Sequence, residues 1–356
     1  MFESFDEYVR SLARSRGGLS AIREILRDIF YSTRFSHFFL YFLATAYGWA
    51  IATGIFPNPI AFIYNLAYAL LFGGLDAFLL DEYYIGLTQL AFACVSNGLL
   101  FIAILMYNDY CDYGIDIEGR KKDTLLTRGI ISKNEQLAVV LALMALITAM
   151  AYLVGPLFLL ITFMGFFGLW IYSAKPFQTK RRAGLDLLSN GFHPWLITVS
   201  GALIGASSYR EIPYLHFLCV GFMGMIIFAL TCFMDLEDDR KNGVETICVK
   251  LGFTGSTILT AALIAGLFIL VGLDSYFNYV FTLRWFWLSF PMILAGIVII
   301  LLGFFRWIFI WREKRCLPYP IRYRKVYKYL AVGVPLELFP FLLFIIDYSF
   351  HDLPWF

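Results

Sequence analysis

Nine stretches of roughly twenty apolar residues recur along this 356-residue chain, at about 36–56, 84–107, 135–155, 156–173, 187–206, 213–234, 254–273, 284–307 and 329–348. A bilayer hydrocarbon core takes about 20 apolar residues of helix to cross, so each stretch is long enough to span. The chain is 60% hydrophobic and 15% charged, against roughly 45–50% and 25% in soluble globular proteins. With 37 Phe and 22 Tyr, the excess sits in side chains too bulky for one soluble core to hide. This composition excludes a soluble globular protein, a disordered chain and a fibrous repeat. The expectation is an all-α integral membrane protein with nine transmembrane helices. A tenth apolar segment, 58–80, is interrupted by Asn65, Gly73, Gly74 and Asp76.

The formal net charge of +2 is small, but its distribution is informative. With the N-terminus in the cytoplasm and nine spans, the cytoplasmic segments 1–35, 108–134, 174–186, 235–253 and 306–328 hold 26 of the 28 Lys and Arg. Only Arg210 and Arg284 fall outside, the bias that the positive-inside rule requires. Counting 58–80 as a further span would reverse the later loops, so it reads as an external interfacial or re-entrant helix. The first 33 residues have no signal-peptide core. Leu19, Ile22, Ile25, Leu26, Ile29 and Phe30 recur there at helical spacing among Arg23, Arg27 and Asp28, which fits a helix lying on the cytoplasmic membrane surface. The six cysteines show no C-x-x-C pairing, so neither structural disulfides nor zinc is expected.

Carboxylates are costly near hydrocarbon, so where they cluster in a membrane chain they mark function. One cluster, at the cytoplasmic end of the second span, reads Asn108, Asp109, Asp112 and Asp116; another, at the end of the sixth, reads Asp235, Glu237, Asp238 and Asp239. If the helices continue through these residues, spacings of three and four put each set on one helical face. Several carboxylates on one face repel one another unless a divalent cation compensates. Mg2+ suits the pattern, because it binds through one or two carboxylates and completes its shell with water and phosphate oxygens. The order of a calcium-binding EF-hand loop is absent.

Cations follow each cluster: Arg120, Lys121, Lys122 and Arg128 after the first, Arg240 and Lys241 after the second. A third cytoplasmic loop carries Tyr172, Ser173, Pro176, Lys180, Arg181 and Arg182. Cations beside metal-binding acids point to a polyanion such as a diphosphate, held between Mg2+ and Lys or Arg. The topology signal alone also accounts for each cation taken singly.

These residues resemble the UbiA superfamily of intramembrane prenyltransferases. The N-D-x-x-D-x-x-x-D motif of that superfamily matches Asn108, Asp109, Asp112 and Asp116. Its second acid motif matches Asp235, Asp238, Asp239, Arg240 and Gly243, continuing into Thr246, Leu251 and Gly252. Its Y-S-x-x-P-x-x-x-K-R loop matches Tyr172, Ser173, Pro176, Lys180 and Arg181. The chain departs from the S-R-P-type signature near the first span, reading Ser32, Thr33, Arg34, Phe35 without the proline.

The resemblance implies a helical bundle over 34–348 with a central cavity open to the cytoplasm, preceded by the amphipathic segment 1–33 and followed by a short external tail, 349–356. It implies Mg2+ ligands among Asn108, Asp109, Asp112, Asp116, Asp235, Asp238 and Asp239. Diphosphate contacts are expected from Asn108, Arg120, Lys121, Arg128, Lys180, Arg181, Arg240 and Lys241, with Tyr172 beside the reacting centre. The implied reaction is transfer of a polyprenyl group from a prenyl diphosphate to a lipophilic acceptor, a quinone precursor or an isoprenoid. The metal and cations neutralise charge as diphosphate leaves. Asn190 and His193 follow Asp186 at helical spacing. They make one polar face of the fifth span, expected to line the acceptor cavity; His193 there suits a general base for a deprotonation step, but suits a hydrogen-bonded packing role better. Glu337 in the ninth span has the same two readings. Nothing in the pattern calls for nucleic acid; the expected surroundings are lipid, probed from the cytoplasmic side of the cell membrane. Two other reactions fit less well: a terpene cyclase using the same metal-triggered chemistry, and a transporter, whose site would lie nearer the bilayer midplane.

Overall fold

The computed structural model describes residues 5–16, 18–35, 38–53, 82–119, 124–206 and 208–278, together with 295, 298, 299 and 302. Segment 58–80, the span 329–348 with Glu337, the tail 349–356 and all but four residues of the span 284–307 lie outside the described residues. Among the described residues the regular elements are helices: α1 (Phe5–Arg16), α2 (Gly18–Ser32), α3 (Phe38–Thr53), α4 (Glu82–Gly119), α5 (Lys133–Val154), α6 (Pro156–Ser173), α7 (Leu185–Gly205), α8 (Tyr214–Lys241) and α9 (Ile247–Asn278). The one extended pairing among them is an isolated parallel bridge between Arg182 and Glu245.

Among the described residues, five helical stretches are long and apolar enough to cross a membrane: Gly86–Ile117, Lys133–Val154, Pro156–Ser173, Tyr214–Cys232 and Ile247–Leu270. The chain is therefore a multi-pass membrane protein. The apolar helix α3 is shorter, at 16 residues, and α7 carries Pro194 in its interior. At 38 residues, α4 is about 57 Å long at about 1.5 Å per residue, well beyond the ~30 Å hydrocarbon core. Its last turns, with Asn108, Asp109, Asp112 and Asp116, continue the helix past the apolar run. The acid spacing thus does fall on one helical face. α8 likewise runs unbroken through 235–239 to Lys241.

Local signals set the helix ends. Ser132 accepts from the Glu135 amide at 3.2 Å while the Glu135 carboxylate accepts from the Ser132 amide at 2.6 Å. This reciprocal pair satisfies two amides that the first turn of α5 would leave open. Gly155, at φ 143°, separates α5 from α6, and Pro156 opens α6, where its missing N–H costs nothing.

The chain divides into two compact units. One comprises Met1–Trp49, Pro59–Thr179 and Leu196–Ile204. Its core joins Tyr41 of α3, Leu100, Ala103 and Ile104 of α4, Ile147 of α5, Phe166 and Leu169 of α6 and Ile197 of α7. Small residues let α3 and α7 approach backbone to backbone: a Cβ on Gly48 would strike the Thr198 carbonyl, and one on Gly201 the Thr45 carbonyl. This is how helices associate where apolar burial gives no advantage over lipid. Asn97 of α4 is buried between them, donating to Thr45 Oγ1 at 2.8 Å and Ser200 Oγ at 2.9 Å.

The other unit comprises Ala50–Asn58, Lys180–Trp195 and Gly205–Phe356. Its core gathers Leu187 of α7, Cys219, Ile226, Ala229 and Leu230 of α8, and Leu263 and Leu267 of α9. The start of α7 crosses α8 at glycines: a Cβ on Gly191 would lie 2.6 Å from Met225 Cγ, and one on Gly224 would lie 2.5 Å from the Asn190 carbonyl oxygen.

Candidate active site

The first acid motif belongs to the first unit. Asp109 and Asp116 are buried, and Asp112 is half-buried. Asp109 accepts two contacts from Arg34 Nη2, at 3.0 Å to Oδ1 and 3.4 Å to Oδ2. Arg34 follows α2 in the left-handed region, at φ 50°, a conformation rare for a side chain of its size. The turn it makes between α2 and α3 delivers the guanidinium to a residue 75 positions away. The sequence assigned Arg34 no role. Asn108 Oδ1 accepts from the buried Ser173 hydroxyl at 3.2 Å, so the Tyr172–Ser173 pair at the end of α6 and the start of the acid motif are tied together. Tyr172 is half-buried.

Arg120 and Lys121 lie outside the described residues. Arg128, expected at the diphosphate, donates from Nη1 to Asp28 Oδ2 at 3.0 Å, and the Tyr8 hydroxyl donates to the same oxygen. Burial raises the Asp28 carboxyl pKa, but the Tyr8 hydroxyl and the Arg128 guanidinium outweigh it and hold the group below its ordinary value. The Tyr8 hydroxyl is pushed up to about 12, by burial first and by Asp28 second.

The second unit holds the remaining candidates. Lys180 and Arg181, both half-buried, sit in the short 3-10 turn Thr179–Arg181. The side chains of Asp235 and Asp238 lie outside the described residues, although α8 carries both positions. Asp239 is half-buried, and Arg240 and Lys241 are exposed. Beyond α8 the chain reverses at Gly243, at φ 65°, with the Val244 amide returning to the Asp239 carbonyl at 2.9 Å. Glycine makes this turn without a Cβ clash. The motif's Gly243 therefore has a backbone reason.

Asp186 is fully buried at the start of α7. Its Oδ1 accepts from the Gly184 and Leu187 amides, each at 2.8 Å, and its Oδ2 from the Ile247 amide at 2.7 Å. Burial raises this carboxyl, while the three amides favour its ionised form. Asp186 thereby fastens the loop of Lys180 and Arg181 to the segment that follows the second acid motif, and the Arg182–Glu245 bridge runs beside it. Asn190 Nδ2 donates to the Asp186 carbonyl at 2.8 Å, and His193 Nδ1 lies 2.9 Å from the Ser189 carbonyl. Each thus bonds one turn back along its own helix. His193 Nε2 and Trp195 Nε1 are buried and have no hydrogen-bond partner among the described residues. They flank Pro194, which lacks the N–H that would bond to the Asn190 carbonyl.

Among the described residues no three His, Cys, Asp or Glu side chains converge as a closed metal cage. Mg2+ needs no such cage: one or two carboxylates suffice when water and phosphate oxygens supply the rest. The face bearing Asp109, Asp112 and Asp116 meets that requirement.

The chain belongs to the UbiA prenyltransferase family, whose model matches residues 77–318, more than half of its length. Over 149 residues it is 29% identical to the bacteriochlorophyll synthase 33 kDa chain of Cereibacter sphaeroides, a match covering 41% of this chain and about half, 48%, of that protein. The fold is similar to a solved structure of digeranylgeranylglyceryl phosphate synthase, with a TM-score of 0.58 and 18% identity over 91% of this chain and 99% of that one. It is also similar to a UbiA homologue from Archaeoglobus fulgidus bound to DMAPP and Mg2+, with a TM-score of 0.51 and 17% identity over 90% of this chain and 98% of the other.

Proposed function

We propose that the protein catalyses Mg2+-dependent transfer of a polyprenyl group from an allylic prenyl diphosphate to a lipophilic acceptor, a quinone precursor or an isoprenoid. The C–O bond to diphosphate breaks with its electron pair leaving on the diphosphate, a carbon–carbon bond forms to the acceptor, and the acceptor carbon loses a proton. The observation that carries this reading is the first acid motif: one continuous helical face on α4 with Asp109 and Asp116 buried and Asn108 tied to Ser173. The Archaeoglobus homologue bound to DMAPP and Mg2+ supports it.

In this reading the acid motifs serve the prenyl diphosphate, and Mg2+ would supply charge neutralisation for the departing group. Asp109, Asp112, Asp116, Asp235, Asp238 and Asp239 hold the metal, with Asn108 completing the first set. Lys180, Arg181, Arg240 and Lys241 contribute fixed positive charge, joined by Arg120 and Lys121. Tyr172 presents a π face to the developing allylic cation, an interaction worth ~0.5–2 kcal/mol. Asn190 and His193 face the acceptor. The nine spans and the cytoplasmic placement of N-terminus and active site rest on the distribution of Lys and Arg. The division into 1–33, 34–348 and 349–356 rests on the family resemblance and on the amphipathic pattern of the first segment.

The test is a product assay by mass spectrometry with geranyl, farnesyl and geranylgeranyl diphosphates against a membrane lipid extract. Asp109→Ala and Asp235→Ala are expected to abolish turnover while leaving the protein folded by its elution profile, although Asp109→Ala also loses the Arg34 ion pair and lowers the thermal midpoint. Full activity in either variant would refute the reading, and a cyclised product formed without acceptor would replace transfer with cyclisation.

A further inference from the structure

The helix pair α1 and α2 grips the loop that follows the first acid motif. Arg128 and Tyr8 both donate to Asp28, the Leu125 amide donates to Ser32 Oγ at 2.9 Å, and Tyr8, Leu125 and Ile130 form a buried cluster with Val9, Leu12 and Ile25. The loop is bonded within itself: the Arg128 amide reaches the Thr124 carbonyl at 3.0 Å and the Ile130 amide the Leu125 carbonyl at 2.9 Å. Two residues beyond Ser32, Arg34 reaches Asp109.

The opposite face of α2 is an apolar stripe open to its surroundings: Leu19 is 87% exposed and Leu26 60%, with Ile22, Ile29 and Phe30 along the same face. That stripe is continuous with the exposed apolar face of α3. Ring contacts run from Phe30 to Phe35 and from Phe35 to Phe39, each at 5.9 Å between centroids, and Leu40 and Leu43 extend the surface. In a multi-pass membrane protein the exposed face of an apolar helix meets lipid, and an amphipathic helix beside it seats its apolar stripe at the same boundary.

We propose that α1 and α2 form a lipid-seated strap over residues 124–131, with Asp28 as the positioning residue that holds Arg128 and so fixes the loop and Arg34 beside the first acid motif. Arg128 then acts on its own protein rather than on the diphosphate. The effect on substrate rests on the prenyltransferase reading above; the strap itself does not.

The experiment uses the full chain in phosphatidylcholine nanodiscs and reads amide hydrogen exchange together with kinetics. Asp28→Asn is expected to speed exchange across 124–131 by about tenfold or more, the loss of one charge-assisted contact, and to leave α8 and α9 unchanged. With prenyl diphosphate and Mg2+, it is expected to raise KM more than it lowers kcat. Asp28→Arg and Arg128→Asp singly are expected to release the loop, and the two combined to restore protection. Tyr8→Phe, a milder change, is expected to fall between wild type and Asp28→Asn. Leu26→Asp is expected to release the same loop by unseating α2 from lipid. Unchanged protection of 124–131 in Asp28→Asn, or no recovery in the charge-swapped double variant, would overturn the strap; wild-type protection in Leu26→Asp would overturn its lipid seat. A wild-type protein that converts no prenyl diphosphate defeats the functional reading instead, and the exchange results still decide the strap.

Discussion

Removing the Asp186 carboxylate gives the sharpest quantitative test of how the second unit is built. Three backbone amides depend on it: Gly184, Leu187 and Ile247, at 2.7–2.8 Å. An orphaned buried donor costs ~1–3 kcal/mol, but Gly184 is only half-buried and regains part of its loss from water. Asp186→Ala is therefore expected to cost about 3–5 kcal/mol. Asp186→Asn is the more discriminating change. Its single carbonyl oxygen can keep Gly184 and Leu187, but its amide nitrogen then faces the Ile247 N–H, donor against donor. Shape is conserved, yet about 2 kcal/mol is lost, concentrated where α9 begins. The assay is hydrogen exchange of the Ile247 and Cys248 segment in nanodiscs, read beside thermal unfolding. The expected pattern is ~30-fold faster exchange there in the Asn variant, the equivalent of about 2 kcal/mol, with the α5 amides unchanged. An Asn variant as protected as wild type would refute the assignment of Oδ2 as the Ile247 acceptor.

Two further perturbations follow from the same geometry. The folded-state pKa of Asp28 lies below its ordinary value, so its contribution is present above the unfolded pKa near ~3.9 and is lost as pH falls through the folded value. Protection of 124–131 is accordingly expected to be flat from pH 8 to pH 5 and to decline below about pH 4, and a profile with no such decline beyond that of Asp28→Asn would contradict it. Gly48→Val places methyl groups where the Thr198 carbonyl stands, forcing α3 away from α7. The expected loss is ~1–3 kcal/mol or more, seen as a lower thermal midpoint, whereas Gly86→Val, with open space around it, is expected to change the midpoint little.

The fold was legible where physics acts along the chain. Apolar runs of bilayer length located α4, α5, α6, α8 and α9, because burial of twenty successive side chains in lipid needs no partner segment. The spacing put Asp109, Asp112 and Asp116 on one face only on condition that the helix continue through them, and α4 does continue to Gly119. What composition hides is the meeting of helices. Gly48 and Gly201 look like ordinary small residues within apolar runs, and their role emerges only once α3 and α7 lie backbone to backbone. Asn97 reads as a stray polar group in a span, and its partners Thr45 and Ser200 are 52 and 103 residues away.

The site divides in the same way. Motif residues on consecutive helical turns could be read, because one element carries them all. Arg34 could not. Its reach to Asp109 depends on a left-handed turn at a residue that carries no glycine signature. Arg128 shows why a cation near an acid motif is ambiguous: a guanidinium is equally satisfied by phosphate or by a carboxylate, and Asp28, 100 residues earlier, already faces it. Asp186 was read only as the start of a polar face, because a carboxylate that takes three backbone amides leaves no trace in side-chain spacing. Acids that bind metal recur in motifs, whereas acids that bind backbone answer to the fold. In this chain, Asp109 lies in a recurring acid motif, whereas Asp186 takes three backbone amides and Asp28 takes the Arg128 and Tyr8 side chains. Conservative Asn variants separate the three: at Asp28 and Asp186 the expected effect falls first on local exchange, and at Asp109 it falls first on turnover.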